Sequence, residues 1–166
     1  TGFFIILHPF SSPRPDGRLH VEFLDVGQGD SIFITFPSGE TMLVDAGGRR
    51  RYDDEGKEFE PDIPSIGEAV VSEFLWERGY SKIDFIVATH ADADHIQGLG
   101  DVARNFRIGE AWFARVSGTD PDETRLIAEL NRQGTPLRTV SRGERFEIGG
   151  ASVEILSPGD DAFITI

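Results

Sequence analysis

The stretch IDFIVATHADADHIQG, residues 83–98, constrains the fold more than any other part of the chain. Five of its first six residues are apolar and three of these are β-branched, which favours a buried strand over a helix. His90, Asp92, Asp94 and His95 then fall within six consecutive positions. In α/β folds the loops at the carboxyl ends of strands splay open, and ligands bind there. A solvated acidic turn accounts for Asp92 and Asp94 but not for a histidine on either side of them. Imidazole nitrogen and carboxylate oxygen together suit Zn²⁺, Mn²⁺ or Fe²⁺, and a second carboxylate shifts the preference toward Mn²⁺. An EF-hand loop requires a further oxygen ligand and then glycine where this chain has Ile96 and Gln97. The pattern therefore predicts a metal loop with His90, Asp92, Asp94 and His95 as ligands. The next helix starts at Asp94, with Asp94 and Gln97 in capping-box positions.

The rest of the sequence bounds this reading. With 166 residues, 39% hydrophobic and 27% charged, the chain suits one globular domain. Sixteen basic against 29 acidic residues give a net charge of −13, so a general electrostatic grip on nucleic acid or anionic lipid is excluded. The absence of cysteine excludes disulfides, zinc–thiolate sites and thiol catalysis.

Along the chain, residues 1–17 read as the end of an apolar, membrane-proximal segment (GFFIILHPF) and a linker (PFSSPRPDG), and 18–166 as the domain. LHVEFLDV, SIFITF and TMLVDA read as an antiparallel start, joined by the GQGD and PSGE turns. Gly47 to Ser65 reads as a long loop. A helix follows in SIGEAVVSEFLWERGY with Ile66, Ala69, Val70, Phe74 and Leu75 on one face. After the metal loop the pattern alternates. It predicts a short helix near Leu99 to Phe106, a strand at EAWFARV, and a helix from Pro121 to about Gln133 capped by Asp120. Strands near PLRTV and ASVEIL complete it. Trp76, Trp112 and most phenylalanines fall on expected core faces, and His8 and His20 carry no assigned role.

THADADHIQG resembles the HxHxDH signature of the metallo-β-lactamase fold, with Asp92 where the second histidine stands, and LVDAG resembles that fold's first motif. VEFLDVGQGDS together with HxDxDH is similar to the C-terminal domain of the ComEC family of bacterial DNA-uptake channel proteins, over about Arg18 to the end of the chain. The resemblance implies an α/β fold, the first half of an αββα sandwich, with Asp45 bracing the metal loop. It implies two divalent ions, Mn²⁺ or Zn²⁺, that activate a water oriented by Asp94 for phosphodiester hydrolysis of a single DNA strand. The expected partners are that strand, the remainder of the polypeptide with its membrane helices, and the competence machinery. The expected location is the bacterial inner membrane, with the domain on its extracytoplasmic side. If the first strands pair as read, Asp30 and Ser31 of GQGDS lie beside the metal loop, Asp30 as a support and Ser31 as a substrate contact. Arg49, Arg50 and Arg51 are the candidate phosphate contacts in an acidic chain.

Departures from the family pattern set further expectations. The later histidine, bridging aspartate and HHGS-like stretch do not follow Ile155. The chain is therefore expected to hold at most part of the metal site, to be a poor nuclease, and to leave one sheet face exposed. A non-catalytic DNA-guiding module and a small-molecule hydrolase of this fold remain the alternatives.

Overall fold

The computed structural model describes residues 13–48 and 65–157. Six strands form one sheet in the order β1 (His20–Phe23), β2 (Ile32–Thr35), β3 (Thr41–Val44), β4 (Lys82–Ala88), β5 (Arg107–Phe113) and β6 (Leu137–Thr139). The pairs β1–β2 and β2–β3 are antiparallel, and β3 through β6 are parallel. Each parallel step passes through a helix: α1 (Gly67–Ser72 continuing through Glu73–Glu77), α2 (Ala93–Asn105) and α3 (Pro121–Gln133). Strands β7 (Arg145–Ile148) and β8 (Ala151–Glu154) make a separate hairpin.

Because strand side chains alternate, register assigns each row to one face. Phe33, Leu43, Ile86 and Ala111 lie in register across β2 to β5 and are buried against Leu75, Ile96, Leu99, Leu126 and Leu130 of the helices. The neighbouring row of Ile32, Val44, Val87 and Trp112 faces the other way, onto Ile148 and Val153 of the hairpin. Both faces of β4 are thereby covered, as its apolar sequence predicts. The parallel arrangement places the carboxyl ends of β3 and β4 side by side, so the turn after Val44 and the loop after Ala88 meet.

Several expectations need correction. Helix α2 begins at Ala93 with Asp92 as its N-cap, so Asp94 stands inside the first turn and not at the cap position that a capping box with Gln97 requires. Strand β5 starts at Arg107, ahead of the predicted EAWFARV. The first stretch of α1 is wound as a π-helix, which adds Gly67, Val71 and Ser72 to the buried face; Leu75, Ile66, Val70 and Phe74 pack on the core as predicted, while Ala69 is exposed. Trp76 packs at a tilt on Phe106, ring planes 32° apart, yet stays 38% exposed. Strand β7, unpredicted, supplies with β8 a layer over the sheet face expected to be bare. Among the described residues Leu19, Val21 and Phe23 are exposed at the β1 edge, and Val116, Leu137 and Leu156 elsewhere. The Gly47–Ser65 loop falls mostly outside the described residues, as do the apolar first residues.

The β3–β4 pairing is pinned by Asp84. Its Oδ2 accepts hydrogen bonds from Thr41 N (2.9 Å) and Thr41 Oγ1 (3.1 Å), and Lys82 Nζ lies 2.6 Å from its Oδ1. Burial pushes this carboxyl up, but the Lys82 and Thr41 hydrogen bonds outweigh it and hold it below the ordinary carboxylate range. A carboxylate with a depressed folded pKa stabilises the fold fully above its unfolded pKa of about 3.9, and that contribution fades as pH falls through the folded value. Asp84→Asn is expected to cost on the order of 1 kcal/mol in urea unfolding at neutral pH, the difference between charged and neutral hydrogen bonds. The gap between variant and wild type should close in more acidic solution. A gap that stays constant with pH would remove the carboxylate's role in the pairing.

Candidate metal centre

Asp45 is the residue on which the loops converge. It follows β3 directly, is 2% exposed, and has φ 53°, the left-handed region that side chains other than glycine seldom adopt. The conformation is held by Asp45 N donating to Val87 O (3.0 Å) and by Ser31 Oγ donating to Asp45 O (3.2 Å). It delivers the carboxylate to the end of β4. There Oδ1 accepts from Thr89 N (2.9 Å), and Oδ2 accepts from Thr89 Oγ1 (2.5 Å) and contacts His95 Nδ1 at 2.9 Å. Thr89 Oγ1 in turn lies 2.9 Å from His90 Nδ1.

The two imidazoles stack obliquely, with ring centroids 3.9 Å apart. Their basicities are driven in opposite directions. Burial lowers the His90 pKa, reinforced by the adjacent His95, while the hydrogen bond from Asp45 raises that of His95. Asp92 Oδ2 lies 3.7 Å from His90 Nε2, and Asp30 Oδ2 lies 4.0 Å from His95 Nδ1. Both carboxylates are well exposed, so the mouth is acidic.

Two glycines allow the loops to close on the start of α2. Gly29 has φ +81°, and a Cβ there would lie 1.5 Å from the carbonyl oxygen of Asp94. Gly98 faces Ala46, whose carbonyl oxygen would be 2.1 Å from an added Cβ. Hydrogen bonds from Gly47 N to Asp30 O, Ala46 N to His95 O and Gly98 N to Gly47 O, each 3.0 Å, complete the seam.

Among the described residues, the ligand atoms that gather within 4.8 Å of one another are those of Asp45, His90 and His95. Within the sequence-predicted quartet, His90 and His95 therefore come together with Asp92 alongside. Asp94 is 8% exposed in the first turn of α2. Asp30 sits beside His95 as expected. Ser31 is 3% exposed and its hydroxyl is engaged by Asp45, so it supports the turn rather than facing a substrate. Arg49, Arg50 and Arg51 lie outside the described residues. Thr89 is the residue that sequence reasoning missed, since nothing in its spacing announces a partner 44 residues earlier.

The donor set fits a divalent ion. A ligating histidine commonly has its second nitrogen held by a carboxylate or hydroxyl, which fixes ring orientation, and both Nδ1 atoms here are so engaged. Nε2 is the second ring nitrogen of each, and that of His90 lies 3.7 Å from Asp92 Oδ2.

A family model described as the metallo-beta-lactamase superfamily matches residues 24–161. The chain belongs to the metallo-beta-lactamase superfamily. Within it, the chain is 27% identical over 157 residues to "ComE operon protein 3" of Bacillus subtilis (strain 168), which covers 94% of this chain and 20% of that protein. A solved metallo-beta-lactamase from Cronobacter sakazakii, a HARLDQ motif mutant, superposes with TM-score 0.50 and 16% identity over 82% of this chain and 50% of that one. The chain thus spans about a fifth of the curated relative and half of the solved structure. Superfamily membership makes this a metal-dependent hydrolase-type domain, and Asp45, His90 and His95 form a cluster that could hold a metal ion.

Asp45→Ala is expected to weaken Zn²⁺ or Mn²⁺ binding by about 10 to 100-fold, the usual cost of a lost outer partner. Calorimetric titration checks this, with circular dichroism reporting the fold. Loss of stability with unchanged metal affinity would make Asp45 a turn residue only.

Proposed function

We propose that this domain is a metal-dependent phosphodiesterase that cuts a single DNA strand during bacterial DNA uptake. In this reading it works as part of a longer polypeptide with membrane helices, at the inner membrane and on the extracytoplasmic side, together with the competence machinery. One observation carries the reading: His90 and His95 are held side by side, ring centroids 3.9 Å apart, with both Nδ1 atoms engaged by the Asp45–Thr89 pair. The VEFLDVGQGDS stretch and the similarity to "ComE operon protein 3" support the narrower assignment. Among the described residues no helix is long and apolar enough to cross a membrane.

His90 and His95 would hold the metal, with Asp92 within reach of the His90 side. When bound, divalent ions lower the pKa of a coordinated water and stabilise charge at phosphorus. The chain's own residues set the stage for that chemistry. Asp45 fixes the imidazoles, Gly29 and Gly98 seat the loops, and Asp94 is assigned to orient the attacking water. The acidic mouth of Asp30 and Asp92 disfavours phosphate, so a DNA strand must be gripped by cations nearby, the role proposed for Arg49, Arg50 and Arg51.

Two imidazoles and a neighbouring carboxylate provide about the minimum that a catalytic ion requires. The chain by itself is therefore expected to bind Mn²⁺ weakly and cleave poorly, whereas the natural protein that carries it is expected to cleave single-stranded DNA with Mn²⁺. The His90→Ala, His95→Ala double variant should abolish that cleavage. Cleavage that survives the double variant, or turnover of a lactam or thioester with no action on DNA, would overturn the assignment.

A further inference from the structure

We infer that Thr89 is a positioning residue whose hydroxyl sets the tautomer of His90. The inference rests on the reading of His90 as a metal ligand but concerns the protein's own hydrogen bonds. The Thr89 hydroxyl has one proton and two neighbours: Asp45 Oδ2 at 2.5 Å and His90 Nδ1 at 2.9 Å. An ionised carboxylate only accepts, so the hydroxyl proton belongs to Asp45. The oxygen is then left as an acceptor toward His90, and a contact of 2.9 Å requires Nδ1 to carry hydrogen. A neutral imidazole has one N–H, so in His90 the basic lone pair sits on Nε2.

His95 reaches the same state directly, since its Nδ1 stands 2.9 Å from the same Asp45 oxygen. A single carboxylate oxygen thus sets both tautomers, His95 without an intermediary and His90 through one hydroxyl. Thr89 also donates its backbone N–H to the other carboxylate oxygen at 2.9 Å, which fixes the rotamer of Asp45. Thr89 touches no metal in this arrangement. It acts through His90, and its hydroxyl, rather than its volume, is the operative group.

The test is nitrogen NMR of the metal-free protein with ¹⁵N-labelled histidine, recorded at a pH where both imidazoles are neutral. Long-range proton–nitrogen correlations distinguish the two tautomers. Wild type is expected to show Nδ1–H at both His90 and His95. Thr89→Val, which removes the hydroxyl at similar volume, is expected to convert His90 largely to Nε2–H while His95 keeps Nδ1–H. Zn²⁺ affinity should fall about 10 to 100-fold in this variant. Thr89→Ser is expected to restore both the tautomer and the affinity. Nε2–H at His90 in wild type overturns the inference without any variant, which keeps the test decisive if valine disturbs the fold. Unchanged His90 tautomer and unchanged affinity in Thr89→Val also overturn it. Nδ1–H at both histidines in a protein that takes up no Zn²⁺ or Mn²⁺ would support the relay while removing the hydrolase reading.

Discussion

A buried carboxylate in a left-handed backbone turn is a costly arrangement, and in this domain much of the site follows from it. Asp45 is almost fully enclosed, so its charge must be met by donors. Three hydrogen bonds from Thr89 and His95 meet it. Those donors lie on the loop after β4 and the first turn of α2, so satisfying one carboxylate fixes where that loop and that helix begin. A positive φ at a residue other than glycine costs of order 1–3 kcal/mol and persists only where the surroundings enforce it. Here the parallel pairing of β3 with β4 does so, through Asp45 N and Val87 O.

The second constraint is proximity of backbone to backbone. The GQGD turn and the start of α2 approach so closely at Gly29 that any side chain would overlap the Asp94 carbonyl. On the other side, Gly98 brings α2 against Ala46. The metal loop is therefore wedged between two turns that belong to the antiparallel part of the sheet, and it is not free to choose its own geometry. This links the first three strands, which carry no metal ligand of the predicted quartet, to the placement of His90 and His95.

Part of this was legible in the sequence. The β-branched run of Ile83 to Ala88 announced a buried strand with histidine at its open end. Asp120 announced the start of α3, where it does accept from Asp122 N and Glu123 N. The family motifs announced the fold and the bracing aspartate. Other features were out of reach because they depend on contacts between distant residues. Spacing placed four ligands in one loop, but only the convergence of chain segments shows two of them gathering with Asp45. Ser31 read as a substrate contact because it follows the polar GQGD turn, whereas the turn stays exposed and only Ser31 is buried, donating to the Asp45 carbonyl. The π-winding of α1 defeated a pattern based on 3.6 residues per turn, so Ala69 fell on the wrong side. Arg145 to Ile148 lies among charged and polar neighbours, which hid a strand that only its partner β8 completes.

The central claim is that Asp45 holds the two histidines so that an ion meets their Nε2 atoms while the carboxylate stays behind them. Anomalous diffraction from crystals grown with Zn²⁺ tests this most directly. The account predicts an ion about 2.0–2.1 Å from Nε2 of both His90 and His95, the usual zinc–imidazole distance, with Asp45 bonded to Thr89 and His95 and not to the metal. An ion ligated directly by the Asp45 carboxylate, or through Nδ1 of either histidine, would contradict it.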